Sequence, residues 1–486
     1  MDTNHVLKIN LQRGPFRSRL LRALEALGGA YGVLREPAAA SKRASASGGR
    51  HGTHTAEIVF GAPEAYVGQH VVEWRINEHL DRFLAASANN KIARLEAAGI
   101  PASLDGQGGR GRRGFQRRYA VAVFHLQALE AIPIQPGGAA LPYHRGEPGL
   151  DPESPLWRRL ARAAVKALYA FGLDLGEVVI RAGEEGKFTV EEIHPVPVYG
   201  ETHTAGKVAA AMTRMLAGLE ASDGRPDEIL LGMDPEFLLY DGGTGKVVPA
   251  SRYLARRGIA GCDVLRYRGQ RLYPLAELRP EPGREPRDLV RHLLRAFRAA
   301  QEAIPAGALL WQAGAMPQRG FPLGGHLHLS GVPLTGELLR TLDNYLALPV
   351  ALLEAKGSGR RRPAYGFLGD FRLQPHGGFE YRTLPSFLIS PLVTKGAVAL
   401  ARLIAEEYRG LTKRPLQEDR LFHAFYSGNK GPLRRVWPQL AEDIKALPGY
   451  SRYSEYIEPL LLAVESGRAW DESRDIRRVW RLQLDS

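Results

Sequence analysis

Four strand-length segments between residues 232 and 386 alternate ionisable with apolar side chains at a spacing of two. They read GMDPEFLLYDG (232–242), YPLAELRPE (273–281), GGHLHLSG (324–331) and GGFEYRTLPS (377–386). Successive side chains of an extended chain point to opposite faces. Asp234 and Glu236 therefore share a face, about 6.5–7 Å apart at strand rise. Glu277 shares one with Arg279, His326 with His328 and Ser330, and Glu380 with Arg382. Leu327, Leu329, Phe379 and Tyr381 point the other way. Pro235 has no N–H for a sheet ladder, so the first segment is expected to be an edge or the start of a strand.

Helical spacing frames these strands. Leu289, Val290, Leu293, Leu294 and Phe297 predict a helix over 286–303. Ser390 as N-cap and Pro391 in the first turn predict another, ending near Gly410. Strands interleaved with helices in this way predict an α+β fold, an antiparallel sheet with helices on one face and the other face left for a site.

Upstream, helices are expected at 16–27, from about Asn89 to Gly99, at 155–171 and at 204–219. Paired strands are expected over 117–134 and over 176–198, where Gly183 and Gly186 flank a turn. Residues 37–53 and the run DGQGGRGRRGFQRR (105–118) read as loops. The stretch ASDGRPDE (221–228) reads as a linker, which sets two domains at 1–225 and 226–486, the second closing in a helical tail.

Composition removes several classes. A single cysteine, Cys262, allows no intrachain disulfide and no cysteine-rich metal site. No apolar run approaches the roughly 18 residues of a membrane span. The N-terminal residues lack the apolar core of a signal peptide, so a cytoplasmic protein is expected. The net charge of +13, carried largely by arginine, suits nucleic acid or small anionic ligands.

A solvated face explains any one polar row, but the four together describe a site. Carboxylates from three strands with an imidazole form a hard-cation donor set, suited to Mg²⁺ or Mn²⁺ rather than zinc. Arg279 and Arg382 are superfluous for a cation alone and make sense beside a polyphosphate. The segment KGSGRRRPAYGFLGDFR (356–372) adds Arg360, Arg361, Arg362 and Arg372 as a candidate phosphate clamp and lid.

The order of the rows resembles that of glutamine synthetases. MDPEFLLYD is similar to their E-P-E-F strand with Asp234 in place of the first Glu, GGHLHLS to their G-x-H-x-H-x-S strand, and FEYR to their E-x-R strand. The segments DPEF, ELRP, GGHLHLSG, YGFLGDFR and FEYRTLPS more closely resemble the phage-type carboxylate–amine ligases, the type 2 amidoligases. These belong to the glutamine synthetase/glutamate–cysteine ligase superfamily, and the resemblance spans about 229–410. It implies a glutamine synthetase-like sheet with metal ligands at Asp234, Glu236, Glu277, His326 and Glu380. Arg382 would contact ATP phosphate, assisted by Arg372 and one of Arg360–Arg362, with Arg361 and Arg362 foremost, and by Ser330. Glu380, Arg382, Arg372 and His328 would serve catalysis. Glu281 and Glu285 are candidates for a further ligand of one metal site.

The implied activity is ATP- and Mg²⁺-dependent amide formation through an acyl phosphate, with Mn²⁺ as an alternative cation. The substrates would be a carboxylate and an amine, on an amino acid, peptide or protein. No membrane partner is expected, and an oligomer is compatible with the superfamily. The fragments NNKIARLEAAGIP, RRYAVAVFHLQALEAI and FGLDLGEVVIRAGEEGKFTVEEIHPVPV resemble an ATP-grasp domain. His194 stands where its metal strand has Asn and Val179 where an acid falls, which implies a degenerate module used as scaffold or for substrate docking. Two other readings compete: a basic nucleic-acid-binding protein, which the exposed carboxylate rows disfavour, and an ATP-binding pseudoenzyme or regulatory partner.

Overall fold

The computed structural model describes residues 4–12, 14–27, 31–35, 55–60, 71–104, 117–134, 149–183, 186–222, 228–267, 270–305, 307, 309–375 and 377–482. The chain forms two compact units, Met1–Asp223 and Gly224–Ser486. The expected loop at 37–53 and residues 105–116 of the one at 105–118 lie outside the described residues, and Arg117 and Arg118, expected at its end, are strand.

The first unit holds two four-stranded sheets. One contains β1 (Asn4–Gln12), β2 (Tyr31–Arg35), β3 (Thr55–Phe60) and β4 (Val71–Ile76) in the order β2-β3-β1-β4, with β1 and β4 parallel. The same stretch of chain carries helices α1 (Pro15–Ala26), α2 (Leu80–Ala85) and α3 (Ala88–Ala97). The other is antiparallel, with β5 (Arg117–Phe124), β6 (Gln127–Ile134), β7 (Leu175–Ala182) and β8 (Phe188–His194) in the order β6-β5-β7-β8. Helix α4 (Pro155–Ala170) starts where the Ser154 hydroxyl accepts the Trp157 N–H and Pro155 presets the first turn. It buries Leu160, Ala164, Ala167 and Leu168. Gly176 on β7 admits Leu168, because a Cβ there would lie 3.1 Å from that side chain. Helix α5 (Glu201–Ser222) ends the unit.

The second unit is built on an eight-stranded antiparallel sheet. Its strands are β9 (Leu230–Asp241), β10 (Lys246–Val248), β11 (Ala260–Tyr267), β12 (Gln270–Leu278), β13 (Leu309–Gln312), β14 (Gly325–Ser330), β15 (Phe371–Leu373) and β16 (Phe379–Tyr381). The order is β11-β12-β9-β14-β16-β15, with β10 and β13 also paired to β9. The unit is α+β. Contrary to the edge position expected from Pro235, β9 is central. It pairs with β14 over Leu230–Pro235 and with β12 from Glu236, so the proline sits at the changeover between the two ladders.

Helix α6 (Pro286–Ala303) packs on this sheet through Leu289, Leu293 and Phe297. Beyond it come α7 (Gly336–Leu342), a π-helical turn at Asp343–Ala347 and α8 (Leu348–Leu353). Helix α9 (Pro391–Glu407) begins where the Ser390 hydroxyl accepts the Val393 N–H. The helical tail is α10 (Asp419–Ser427), α11 (Lys430–Lys445), α12 (Tyr450–Glu465) and α13 (Ile476–Val479). Among the described residues no helix is long and apolar enough to cross a membrane.

Candidate metal centre

Sheet register decides which polar rows meet. Glu236 lies opposite Glu277, and Asp234 opposite His326. His328 lies opposite Glu380, which lies opposite Arg372 on its other side. The carboxylates and imidazoles form two adjacent groups on one face.

In the first group, His326 Nδ1 is 3.2 Å from Asp234 Oδ1 and 3.1 Å from Glu380 Oε1, and His328 Nε2 is 3.2 Å from the same Asp234 oxygen. None of these four atoms has a hydrogen-bond partner, although all are buried. Buried polar atoms are ordinarily satisfied. Four that converge without aligned hydrogen bonds could hold a cation between them, and two carboxylates with two imidazoles would suit a divalent one. Burial alone would raise the Asp234 carboxyl, but His326 and His328 hold it well below the usual range. Burial alone would lower the His326 imidazole, but Asp234 and then Glu236 raise it above its ordinary value. Gly324 is required beside it, since a Cβ there would come within 2.1 Å of His326 Nε2.

Glu380 is fully buried and its two oxygens are used differently. Oε2 accepts from Arg372 Nε at 2.6 Å and Gln374 Nε2 at 2.9 Å, which orients the carboxylate. Oε1 faces the imidazole and lies 2.9 Å from Arg382 Nε. Burial works against the Arg382 charge, but Asp370 and Glu380 more than offset it, so the guanidinium is held above its ordinary value. Arg372 and Arg382 thus lie beside this first group, with Arg372 about half exposed. Ser330 ends β14 on the same face, with its hydroxyl against Gly378.

The second group is Glu236, Glu277 and Asp263, with one oxygen of each within 4.8 Å of the others. Burial is the main reason that Glu236 is pushed up to about 7 and Glu277 to about 9, and Asp234 adds to the rise in Glu277. Glu236 Oε2 accepts the Gly324 N–H at 2.6 Å, and Arg279 pairs with Glu277. Asp263 escapes a reading of sequence because it is a lone acid in the β11 segment GCDVLRY. Only the β11–β12 pairing, with an irregularity between Asp263 and Leu265, carries it to Glu277. Glu281 and Glu285, the downstream candidates, are in neither group; Glu285 pairs with Arg452 instead.

Two arginines read as phosphate contacts are committed elsewhere. Arg361 is 2% exposed and donates to the carbonyls of Thr383, at 3.1 Å, and Leu384, at 2.7 Å. Arg362 is buried between the Glu354 carboxylate and the Phe425 carbonyl, over the Phe425 ring. Both side chains are buried and hold backbone in place, Arg361 with both of its terminal nitrogens engaged. Nor is 356–372 a free lid, since Ser358–Arg361 is a 3-10 turn and Phe367–Asp370 are buried. Replacing Arg361 with Ala is expected to cost about 2–4 kcal/mol, because two buried carbonyls lose their donor. Denaturant unfolding measures this.

The family model described as Phage phiEco32-like COOH.NH2 ligase-type 2 matches residues 231–482, more than half of the chain. The chain belongs to this family. The matched residues contain both donor groups and the arginines beside them. Among solved structures, the chain is similar to a bifunctional glutathione synthetase from Pasteurella multocida at 13% identity and a TM-score of 0.32. The match covers 55% of this chain and 53% of that one, so the chain spans about half the length of the structure it matches. A likeness that loose says nothing further about its fold. A search of the curated proteins returns no match.

Proposed function

We propose that the second unit joins a carboxylate to an amine at the expense of ATP, through an acyl phosphate. The observation that carries this is the set of four buried, unsatisfied donor atoms on Asp234, His326, His328 and Glu380, flanked by Arg372 and Arg382. One divalent cation, Mg²⁺ or Mn²⁺, would be held by that group and a second by Glu236, Asp263 and Glu277. When bound, these ions would neutralise the charge of the ATP phosphates.

Arg382 and Arg372 would take the remaining phosphate charge, as forked donors do. A carboxylate oxygen of the first substrate attacks the γ-phosphorus and ADP leaves. The amine then attacks the acyl carbon, and phosphate departs as the amide forms. Preorganised charge and alignment are the protein's contribution. His328, the more exposed imidazole, and Ser330 would line the acyl-phosphate region. The carboxylate would come from an amino acid, peptide or protein.

The first unit would serve as a degenerate ATP-grasp-like scaffold or substrate-docking module. Its one matching carboxylate, Glu192, is already engaged by Arg118 at 2.8 Å and His194 at 2.9 Å.

Phosphate release from ATP and Mg²⁺, with a pool of amino acids and acidic peptides, tests the reading. Mass spectrometry of the products should show a condensation product smaller by one water than its two parts. Absence of nucleotide binding would sink it. Asp263→Asn removes one acid of the second group and is expected to weaken Mn²⁺ binding by at least about tenfold, the least that loss of even an outer-shell partner costs. Titration followed by electron paramagnetic resonance reads this, and unchanged affinity would detach Asp263 from the centre.

A further inference from the structure

The donor groups and their arginines leave Asp343 unused, although it is only 2% exposed and a buried carboxylate is costly unless it is well bonded. It opens the π-helical turn Asp343–Ala347. A π turn carries one extra residue, and such turns are rare and frequent at functional sites. Three consecutive side chains of this one each tie down a different segment. Asn344 Oδ1 accepts the Leu416 N–H at 2.9 Å, and the Tyr345 hydroxyl donates to Asp443 at 2.8 Å.

Asp343 is bonded to the strand that carries Glu380 and to the segment before it. Its Oδ1 accepts the Tyr381 hydroxyl at 2.7 Å and the Gly369 N–H at 3.1 Å. Tyr381 lies between Glu380 and Arg382 and points to the opposite face of the sheet. Whatever holds its phenol also holds the backbone from which both site side chains project. Gly369 precedes Asp370, whose carbonyl accepts the Arg382 N–H at 2.8 Å. One carboxylate oxygen therefore fastens both segments that place Arg382. Strand β16 is three residues long, so its ladder has little purchase of its own.

We infer that Asp343 is a positioning residue of the ligase site, which through Tyr381 and Gly369 sets the place of Glu380 and Arg382. The inference rests on the reading of that site proposed above. Misplacement of a catalytic group by about 1 Å costs on the order of a hundredfold in rate, and loss of an outer tether costs about 10–100-fold in metal affinity.

The test uses the full chain with Tyr381→Phe, Asp343→Ala and Asp343→Asn, each followed by Mn²⁺ titration, steady-state phosphate release and thermal melting. Tyr381→Phe removes a single oxygen and carries the test if Asp343→Ala does not fold. Tyr381→Phe and Asp343→Ala are expected to weaken Mn²⁺ binding about tenfold and to lower kcat by more than tenfold, with KM for ATP within about threefold. Asp343→Asn keeps Oδ1 and should stay within about threefold of wild type in Mn²⁺ affinity. If the wild type binds Mn²⁺ and releases phosphate while Tyr381→Phe matches it in both, Asp343 is only a stability element and the inference fails. If the wild type does neither, the ligase reading itself fails and the inference falls with it.

Discussion

Glu380→Gln is expected to reduce ATP-dependent phosphate release about a thousandfold while shifting Tm by only a few degrees. The glutamine has the shape of the carboxylate it replaces but no charge. A unit charge about 4 Å from a cation is worth about 4 kcal/mol at the effective dielectric of a protein, or roughly a thousandfold. The amide also turns an NH₂ either toward Arg372 and Gln374, which are donors, or toward the cation donors around His326. The fold should tolerate the change, because the glutamine has the same shape and its amide oxygen can still accept from Arg372 and Gln374. Phosphate release and calorimetry on the same preparation decide it. Turnover at the wild-type rate would remove Glu380 from the site.

Without divalent cations, Tm should fall by roughly 10 °C between pH 6 and pH 9, and Mn²⁺ should abolish the fall. The ordinary Glu value is 4.5, whereas burial pushes Glu236 up to about 7 and Glu277 up to about 9. Between those limits the folded chain keeps protons that the unfolded chain releases, so stability declines as pH rises. His326 works in the same direction. Its value is raised in the folded state, and its stabilisation is present below the ordinary value and lost as pH rises through the raised one. Asp234 is held low and is ionised in both states across this window, so it adds no slope. Cation binding needs the ionised carboxylates and displaces their protons, which reverses the trend. Melting curves with EDTA and with Mn²⁺ at several pH values measure both. A flat profile in EDTA would mean that Glu236 and Glu277 are not buried together.

Much of the site was legible because strands alternate strictly. The period of two places Asp234 with Glu236, His326 with His328 and Glu380 with Arg382 before any fold is known. What stayed hidden were residues whose roles depend on distant partners. Arg361 and Arg362 look like phosphate donors in an arginine-rich loop, but their partners are the carbonyls of Thr383, Leu384 and Phe425. Nothing local in KGSGRRRP distinguishes an arginine facing solvent from one holding backbone. Asp263 is invisible for the opposite reason, since it has no polar neighbour at strand spacing and joins Glu277 only through the hairpin.

Local sequence determined the elements. Apolar spacing together with Pro286 and the Ser390–Pro391 start places α6 and α9 within a few residues, because capping and helical period act within single turns. The tertiary structure alone decided which strands lie side by side. That order sets Glu236 against Glu277, Asp234 against His326 and Glu380 between His328 and Arg372, and it also places Pro235 at a changeover rather than an edge. Strand pairing joins segments as much as about 100 residues apart and is fixed by packing and ladder register, neither of which leaves a mark on the local pattern of one strand.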